Sequence, residues 1–289
     1  MTPLICNYFV TLRCNDACEF DAAWPNEEYQ QMAEKPYDLS LLKRAGIRRL
    51  DIAGGEPLLR ADLPEILGRA KALGLATTLM TNGLLYKERA GELAGLAGRI
   101  YFYLDYPMAE EHDRSRGVEC FTETLAALKL AKASGERPII QFTLTRDSVR
   151  FLPEMVELSE KLAVPVRLSP VSDFYGTQGF AGATIDHIRY FARRRNVLAS
   201  LAALEFTRAG GNRTLWPRCR AKETTVTVLP DGRRVEPCLF NQGGKQGREN
   251  VCSSCMRWSY MVPSFQVGLD KYYWLNLYSK LVDKVKSKK

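Results

Sequence analysis

The chain has 289 residues, 46% hydrophobic and 26% charged, the proportions of an ordinary globular protein. No stretch reaches the ~18 uninterrupted apolar residues of a membrane-spanning helix, and the opening MTPLICNYFVTLRC lacks the basic segment of a secretory signal, so a cytoplasmic protein is expected. The formal charge of +8, part of it in Arg193–Arg195 and in the terminal KLVDKVKSKK, reads as a solvated basic face, with attraction to an anionic partner as the sharper alternative and no nucleic acid expected.

From the N-terminus, short β-rich runs alternate with helical patterns. NYFVTL (7–12) precedes a helix near 38–46, and IRRLDIAGG (47–55) precedes one at 62–74. ATTLMTNG (76–83) is followed by a helix around 87–97, and GRIYFYLD (98–105) by one over 121–135. PIIQFTLT (138–145) leads into a helix at 152–163, and VPVRLSP (164–170) into a helix within 183–204. Six strand–helix repeats of about 30 residues call for a parallel sheet with right-handed crossovers. The expected class is α/β, a partial (β/α)6 TIM-like barrel, with reactive residues at the C-terminal ends of its strands.

After about residue 208 the helical period stops. Gly and Pro turns, a hairpin at PDGR (230–233) and clustered cysteines point to a small β-hairpin/helix module. The expected division is a barrel over 1–207, a cysteine module over 208–265, and a basic, aromatic helix or tail over 266–289. In the tail, KYYWLNLYSKLVDKVK reads as core packing or as an interfacial helix.

The eight cysteines form two tight groups plus strays, a distribution that favours metal binding in a reducing compartment over disulfides. The first group lies in LRCNDACEFDAAW (12–24), where Cys14, Cys18 and Asp21 follow one another at x3 and x2 spacing. The second is Cys219, Cys238, Cys252 and Cys255, with Gly232 between its first two members. Four thiolates with one CxxC suit structural zinc as well as iron–sulfur. Cys6 and Cys120 read as buried small residues. His112 and His187, the only histidines, read as structural.

Taken in order, the cysteine loop with Phe20 before its third position, GGEP at 54–57, TNG at 81–83 and LDYPMAEEHDRSRG at 104–117 resemble the strand ends of the radical S-adenosylmethionine (SAM) enzymes over roughly residues 5–205. The resemblance implies a [4Fe–4S] cluster on the first group that chelates SAM and cleaves it to a 5′-deoxyadenosyl radical, which abstracts hydrogen from an unactivated carbon. It implies Glu56 as acceptor for the SAM ammonium, Gly54 and Gly55 as places of close backbone approach, and Phe20, Pro57, Thr81 and Asn82 as cofactor contacts. Asp105 becomes a candidate ribose contact, and Gln141 faces SAM or fills the barrel interior. Asp21 stands where the family has its third cysteine. Three readings stay open: an oxygen ligand, a lost cluster, or an engineered change.

The second group resembles the twitch extension of the same enzymes, with one auxiliary [4Fe–4S] cluster. Five residues, instead of the family's four, separate Gly232 from Cys238. The implied function is a radical SAM, oxidoreductase-type enzyme assisted by that cluster; the alternative is a non-catalytic binding or electron-carrier protein. The implied partner is a flavodoxin- or ferredoxin-type reductant. A small-molecule substrate is favoured over a peptide, because few residues precede the first strand. The tail adds a weaker suggestion of membrane-surface contact.

Overall fold

The computed structural model of the chain describes residues 4–18, 31–170, 180, 182–212, 219–235, 238, 255 and 257–286. Strand β1 (Ile5–Thr11) is followed by α1 (Leu39–Arg44), β2 (Arg49–Gly54), α2 (Leu63–Ala72), β3 (Ala76–Thr81), α3 (Tyr86–Leu93) and β4 (Arg99–Tyr103). Two helices follow, α4 (Ala109–Arg116) and α5 (Phe121–Ala133), and then β5 (Pro138–Leu144), α6 (Leu152–Leu162) and β6 (Val166–Pro170). The expected repeat is therefore present, with one addition. The charged AEEHDRSR, read only as a motif, forms α4, which closes on left-handed Gly117 at φ 67°.

The remaining described elements are α7 (Gly182–Phe191), β7 (Val197–Leu198), α8 (Leu201–Arg208), α9 (Ala221–Thr224), β8 (Thr225–Val228), β9 (Arg234–Val235), α10 (Trp258–Ser264) and α11 (Lys271–Lys286). The helix expected within 183–204 is thus two helices. The arginine run follows the end of α7 in a turn, and Val197–Leu198 then pair with Val166–Arg167 as a short strand.

Among the described residues the sheet has nine strands in the linear order β7–β6–β5–β4–β3–β2–β1–β8–β9. Every neighbouring pair is parallel except the β8–β9 hairpin. The sheet is open, a partial barrel. The hairpin expected at PDGR is present, with Gly232 at φ 87° in its turn. Its first strand pairs with β1 from Ile5↔Thr225 to Tyr8↔Val228, so this part of the cysteine module continues the barrel's own sheet.

The pattern follows from the residues. All seven positions of β5 are buried, as a parallel strand covered on both faces requires. Its even positions Ile140, Phe142 and Leu144 join the main core beneath the helices, while Ile139 packs with Tyr101 and Leu198 on the other face. Helix α6 buries Leu152, Met155, Val156 and Ser159, the i, i+3, i+4, i+7 stripe of an amphipathic helix. Cys6 and Cys120 are buried, as their sequence context suggests. Arg60 is also fully buried. It donates to Val10 O at 2.6 Å and Lys35 O at 3.2 Å and is held by Asp62, fastening the end of β1 to the segment that precedes α1. Among the described residues no helix is long and apolar enough to cross a membrane.

Candidate cluster and cofactor site

The C-terminal ends of β1 to β4 converge on residues 12–18. The end of β2 approaches first. Gly55 N donates to Thr11 O at 3.0 Å and Glu56 N to Arg13 O at 2.8 Å. This approach leaves no room for side chains: a Cβ on Gly54 would lie 1.9 Å from Thr11 O, and one on Gly55 2.1 Å from Arg13 O. Gly54 also sits at φ 151°.

Glu56 then turns inward and is 1% exposed. Its Oε1 accepts from Leu58 N at 2.9 Å and from Thr81 Oγ1 at 2.8 Å, and its Oε2 from Asn82 N at 2.7 Å. The carboxylate therefore joins the ends of β2 and β3. Burial pushes its pKa up to about 7, against the opposing pull of the bonds from Asn82, Leu58 and Thr81. Pro57 is buried at the start of the single turn of 3-10 helix, residues 57–59, that follows.

Asn82 carries the connection onward. Its Nδ2 donates to Asn15 Oδ1 at 2.8 Å and Asp16 Oδ1 at 2.9 Å, while its own carbonyl accepts from Thr124 Oγ1 on α5. From the β4 side comes Arg116, the last residue of α4. Its Nη1 lies 3.2 Å from Asp16 Oδ2 and 3.7 Å from Cys18 Sγ, and its Nη2 pairs with Asp105 Oδ2. The guanidinium lies over the Tyr103 ring, 5.0 Å from its centroid. Arg116 O also accepts from Ala17 N at 2.9 Å, and a Cβ on Gly117 would meet Ala17 O at 2.5 Å.

The electrostatics follow from burial. Asp16 and Asp105 are 1% and 2% exposed at the side chain, with Arg116 between them. Burial raises the Asp16 carboxyl even though Arg116 and Asn82 pull it down. Burial alone would lower the Arg116 pKa, but Asp105, Cys18 and Asp16 outweigh it and hold the group above its usual value. Burial also lifts the Cys14 thiol to about 11 and Cys18 to about 12 in the metal-free chain. His112 is buried and neutral, lowered to about 4 by burial, and its Nδ1 accepts from Asp105 N at 3.2 Å. This is the structural part expected of it. His187 is exposed on α7, its ring edge against Phe191.

The predicted residues Cys14, Cys18, Gly54, Gly55, Glu56, Thr81, Asn82 and Asp105 thus form one connected site. Gln141 lies on β5 out of phase with Ile140 and Phe142, which puts it on the inner face of the sheet. Phe20 and Asp21 fall outside the described residues, as does Cys252 of the second group. Asn15, Asp16, Arg116 and Gly117 were not anticipated from the sequence. Asp16 between two cysteines looks like loop filler, and Arg116 is one of several charges on α4.

A thiol pair beside a guanidinium, on a loop pinned from three sides, fits an anionic iron–sulfur group. Asp105 Oδ1 and His112 Nε2 are buried there with no hydrogen-bond partner among the described residues. Among those residues no three metal-ligating side chains gather at one point: the first group has Asp21 outside them, and the three described members of the second, Cys219, Cys238 and Cys255, do not meet as a set. In the second group Cys219 packs against the Phe206–Met261–Phe265 cluster, with Arg220 N donating to Ser264 Oγ at 2.9 Å, and Cys255 Sγ accepts from Arg257 at 3.9 Å. Both cysteines therefore flank α10.

Residues 8–147, which contain every described member of this site, match the family model of the Radical SAM superfamily. This is a radical SAM domain. Over 170 residues the chain is 31% identical to the probable GTP 3′,8-cyclase of Metallosphaera sedula, covering 55% of this chain and 53% of the relative. Over 149 residues it is 30% identical to the PqqA peptide cyclase of Gluconobacter oxydans, covering 50% and 39%. The chain spans about half the length of the curated relatives it matches.

Two solved structures share the fold more completely. SuiB of Streptococcus suis bound to the precursor peptide SuiA aligns with a TM-score of 0.69 over 90% of this chain and 65% of SuiB, at 19% identity. A structure of anSMEcpe with bound AdoMet and a Cp18Cys peptide aligns with a TM-score of 0.62 over 97% and 83%, at 17% identity. At such identities the likeness is one of fold. Those peptide-bound neighbours and the peptide cyclase run against the expectation of a small molecule in preference to a peptide, which rested on the short run ahead of β1. The arrangement of this radical SAM domain accounts for why its motifs are spread over four strand ends: residues 12–18 continue from the first, and the other three each hold them from one side.

Proposed function

We propose that the chain is a radical SAM enzyme whose first site, on Cys14, Cys18 and Asp21, holds a [4Fe–4S] cluster and SAM. When bound, the pair supplies one-electron chemistry able to abstract hydrogen from an unactivated carbon. The observation that carries the proposal is the convergence of Asn82 and Arg116 on Asp16, which fixes the cysteine loop to the strand ends that the family uses for SAM. Glu56 Oε2 accepts one bond from the chain, and a carboxylate oxygen has room for a second, here the SAM ammonium. Asp105 Oδ1, buried and without a described partner, is the acceptor left for a ribose hydroxyl. Gln141 faces the same interior.

Residues 208–265 form, on this reading, an auxiliary module in which Cys219, Cys238, Cys252 and Cys255 ligate a second [4Fe–4S] cluster. Full ligation by protein suits electron transfer, making the net change an oxidation supported by a flavodoxin- or ferredoxin-type reductant. A peptide is the substrate class to test first, on the strength of the peptide-bound neighbours and the PqqA peptide cyclase.

The test is iron and sulfide per chain after anaerobic reconstitution, with 5′-deoxyadenosine measured under a strong reductant. Two clusters give about eight irons, and Cys14→Ser with Cys18→Ser lowers the count to about four and abolishes 5′-deoxyadenosine. A wild-type chain that holds about four irons and forms none of this product is a carrier or binding protein instead.

A further inference from the structure

Helix α11 lies at the opposite end of the sheet from the cysteine loop. One side of it is thoroughly used. Tyr272 stacks on Phe265 at 5.4 Å and meets Phe206 edge-on, Asn276 and Ser279 are buried, and Ser279 Oγ accepts from Leu201 N at 3.0 Å. Lys286 Nζ donates to Ala192 O and Val197 O, so the helix is fastened along its whole length.

A second apolar stripe faces outward. Trp274, Leu277, Tyr278, Leu281 and Val285 recur every three or four residues, and each is between 38% and 64% exposed. Among the described residues no core cluster includes them. The charge on the helix is arranged around this stripe. Its one acid, Asp283, sits four residues from buried Ser279 on the inner side, where burial pushes its carboxyl up. Lys280 and Lys284 border the stripe along its other margin.

That margin opens into a cleft of about 300 Å³ between the helix and the N-terminal ends of β1 and β2. Arg48, Arg49 and Lys280 line it, with Tyr273, Asn276 and Leu277 from the helix. The cations crowd one another: burial and the nearby Arg49 both push Lys280 below its usual range. Arg49 is paired with Asp51 through Nη2 at 2.9 Å, yet its buried Nε has no acceptor among the described residues. Three cations beside one acid, Asp51, leave the cleft with a net positive charge that an anion relieves.

We infer that the outer face of α11 and the basic cleft beside it form a docking surface for an anionic lipid bilayer. The Trp, Tyr and Leu stripe lies at the boundary between headgroups and acyl chains, and a lipid phosphate occupies the cleft against Arg48, Arg49 and Lys280. An amphipathic helix with aromatic and aliphatic residues on one face and lysines at its margin is the pattern that binds in this plane. The absence of acids from the outer face of α11 favours a phospholipid surface over a second protein, which would be expected to meet mixed charge.

The experiment is co-sedimentation of the full chain with vesicles of phosphatidylcholine alone and of phosphatidylcholine mixed with phosphatidylglycerol. Binding is expected to the mixed vesicles and not to the neutral ones, weakening as salt is added. Arg48→Gln and Lys280→Gln should each reduce it roughly fivefold, and Leu281→Glu should abolish it. Arg48 and Leu281 are exposed, so their variants keep the wild-type melting temperature. No sedimentation with either vesicle, or sedimentation unchanged by Leu281→Glu, overturns the inference. So does a wild-type dimer by light scattering that Leu281→Glu converts to monomer, which would assign the face to a second copy of the chain. Protection by inorganic phosphate without any vesicle binding would assign the cleft to a free anion and overturn it too.

Discussion

Arg116 Nη1 lies 3.7 Å from Cys18 Sγ, and its other terminal nitrogen pairs with Asp105 at the end of β4. One buried guanidinium thus connects the strand end assigned to SAM with a cysteine assigned to iron. Arg116→Gln would leave Asp16 and Asp105 buried without their cation, a loss of roughly 3–5 kcal/mol. Arg116→Lys keeps the charge but not the planar fork that reaches three partners, so it should fall between wild type and the Gln variant. Urea unfolding of the metal-free proteins gives the order. Reconstituted Arg116→Lys should also show an altered cluster potential, because hydrogen bonds to ligating sulfur set it.

The backbone crossing at Gly55 permits no side chain. Gly55→Ala would place a Cβ 2.1 Å from Arg13 O, backbone against backbone, so the β2 end and the cysteine loop must separate. The loss expected is at least the roughly 1–3 kcal/mol of a strained backbone site. Gly68→Ala is the control, since nothing lies within 4 Å of its Cβ and it sits within helix α2. Gly68→Ala should stabilise the chain by up to about 1 kcal/mol. Thermal melts of the two variants should move in opposite directions.

Glu56 makes stability depend on pH in a direction opposite to that of a salt-bridged carboxylate. Its pKa is about 7 in the fold against an ordinary 4.5, so between these values the folded chain holds a proton that the unfolded chain has released. Stability therefore falls as pH rises through that window. Asp16, also raised by burial, acts in the same sense. The melting temperature of the ligand-free protein should decline from about pH 5 to about pH 7, with a shallower slope in Glu56→Gln. A bound ammonium reverses the shift, so SAM binding at about pH 6 should release protons, read by calorimetry in buffers of different ionisation enthalpy.

The strand–helix alternation could be read from sequence because its signal is local. β5 is apolar throughout, and α6 carries its stripe at i, i+3, i+4, i+7. GGEP and TNG were legible through their order and spacing, which resemble the family's motifs; either one alone is a weak signal. What could not be read were contacts between positions 100 apart. Asp16 and Arg116 each look like ordinary surface charges, and only the packing of α4 against the cysteine loop buries them together. The place of β8 was hidden for the same reason. TVTV is a strand in any context, but its pairing with β1 instead of within a separate module is a tertiary choice.

Asp21 is where a change of one residue is most informative. On the proposed reading its carboxylate completes a ligand set that Cys14 and Cys18 begin, and a carboxylate holds the iron of a sulfide cluster less well than a thiolate does. Asp21→Cys should then retain more iron through anaerobic gel filtration than wild type, while Asp21→Ala should retain about one iron per chain fewer. The electron paramagnetic resonance signal of the reduced first cluster should change shape in Asp21→Cys, because the ligand field at one iron has changed. If Asp21→Cys alone assembles the first cluster, the carboxylate at position 21 marks a lost site. If all three proteins hold equal iron with identical spectra, Asp21 is no ligand and an outside donor completes the cluster.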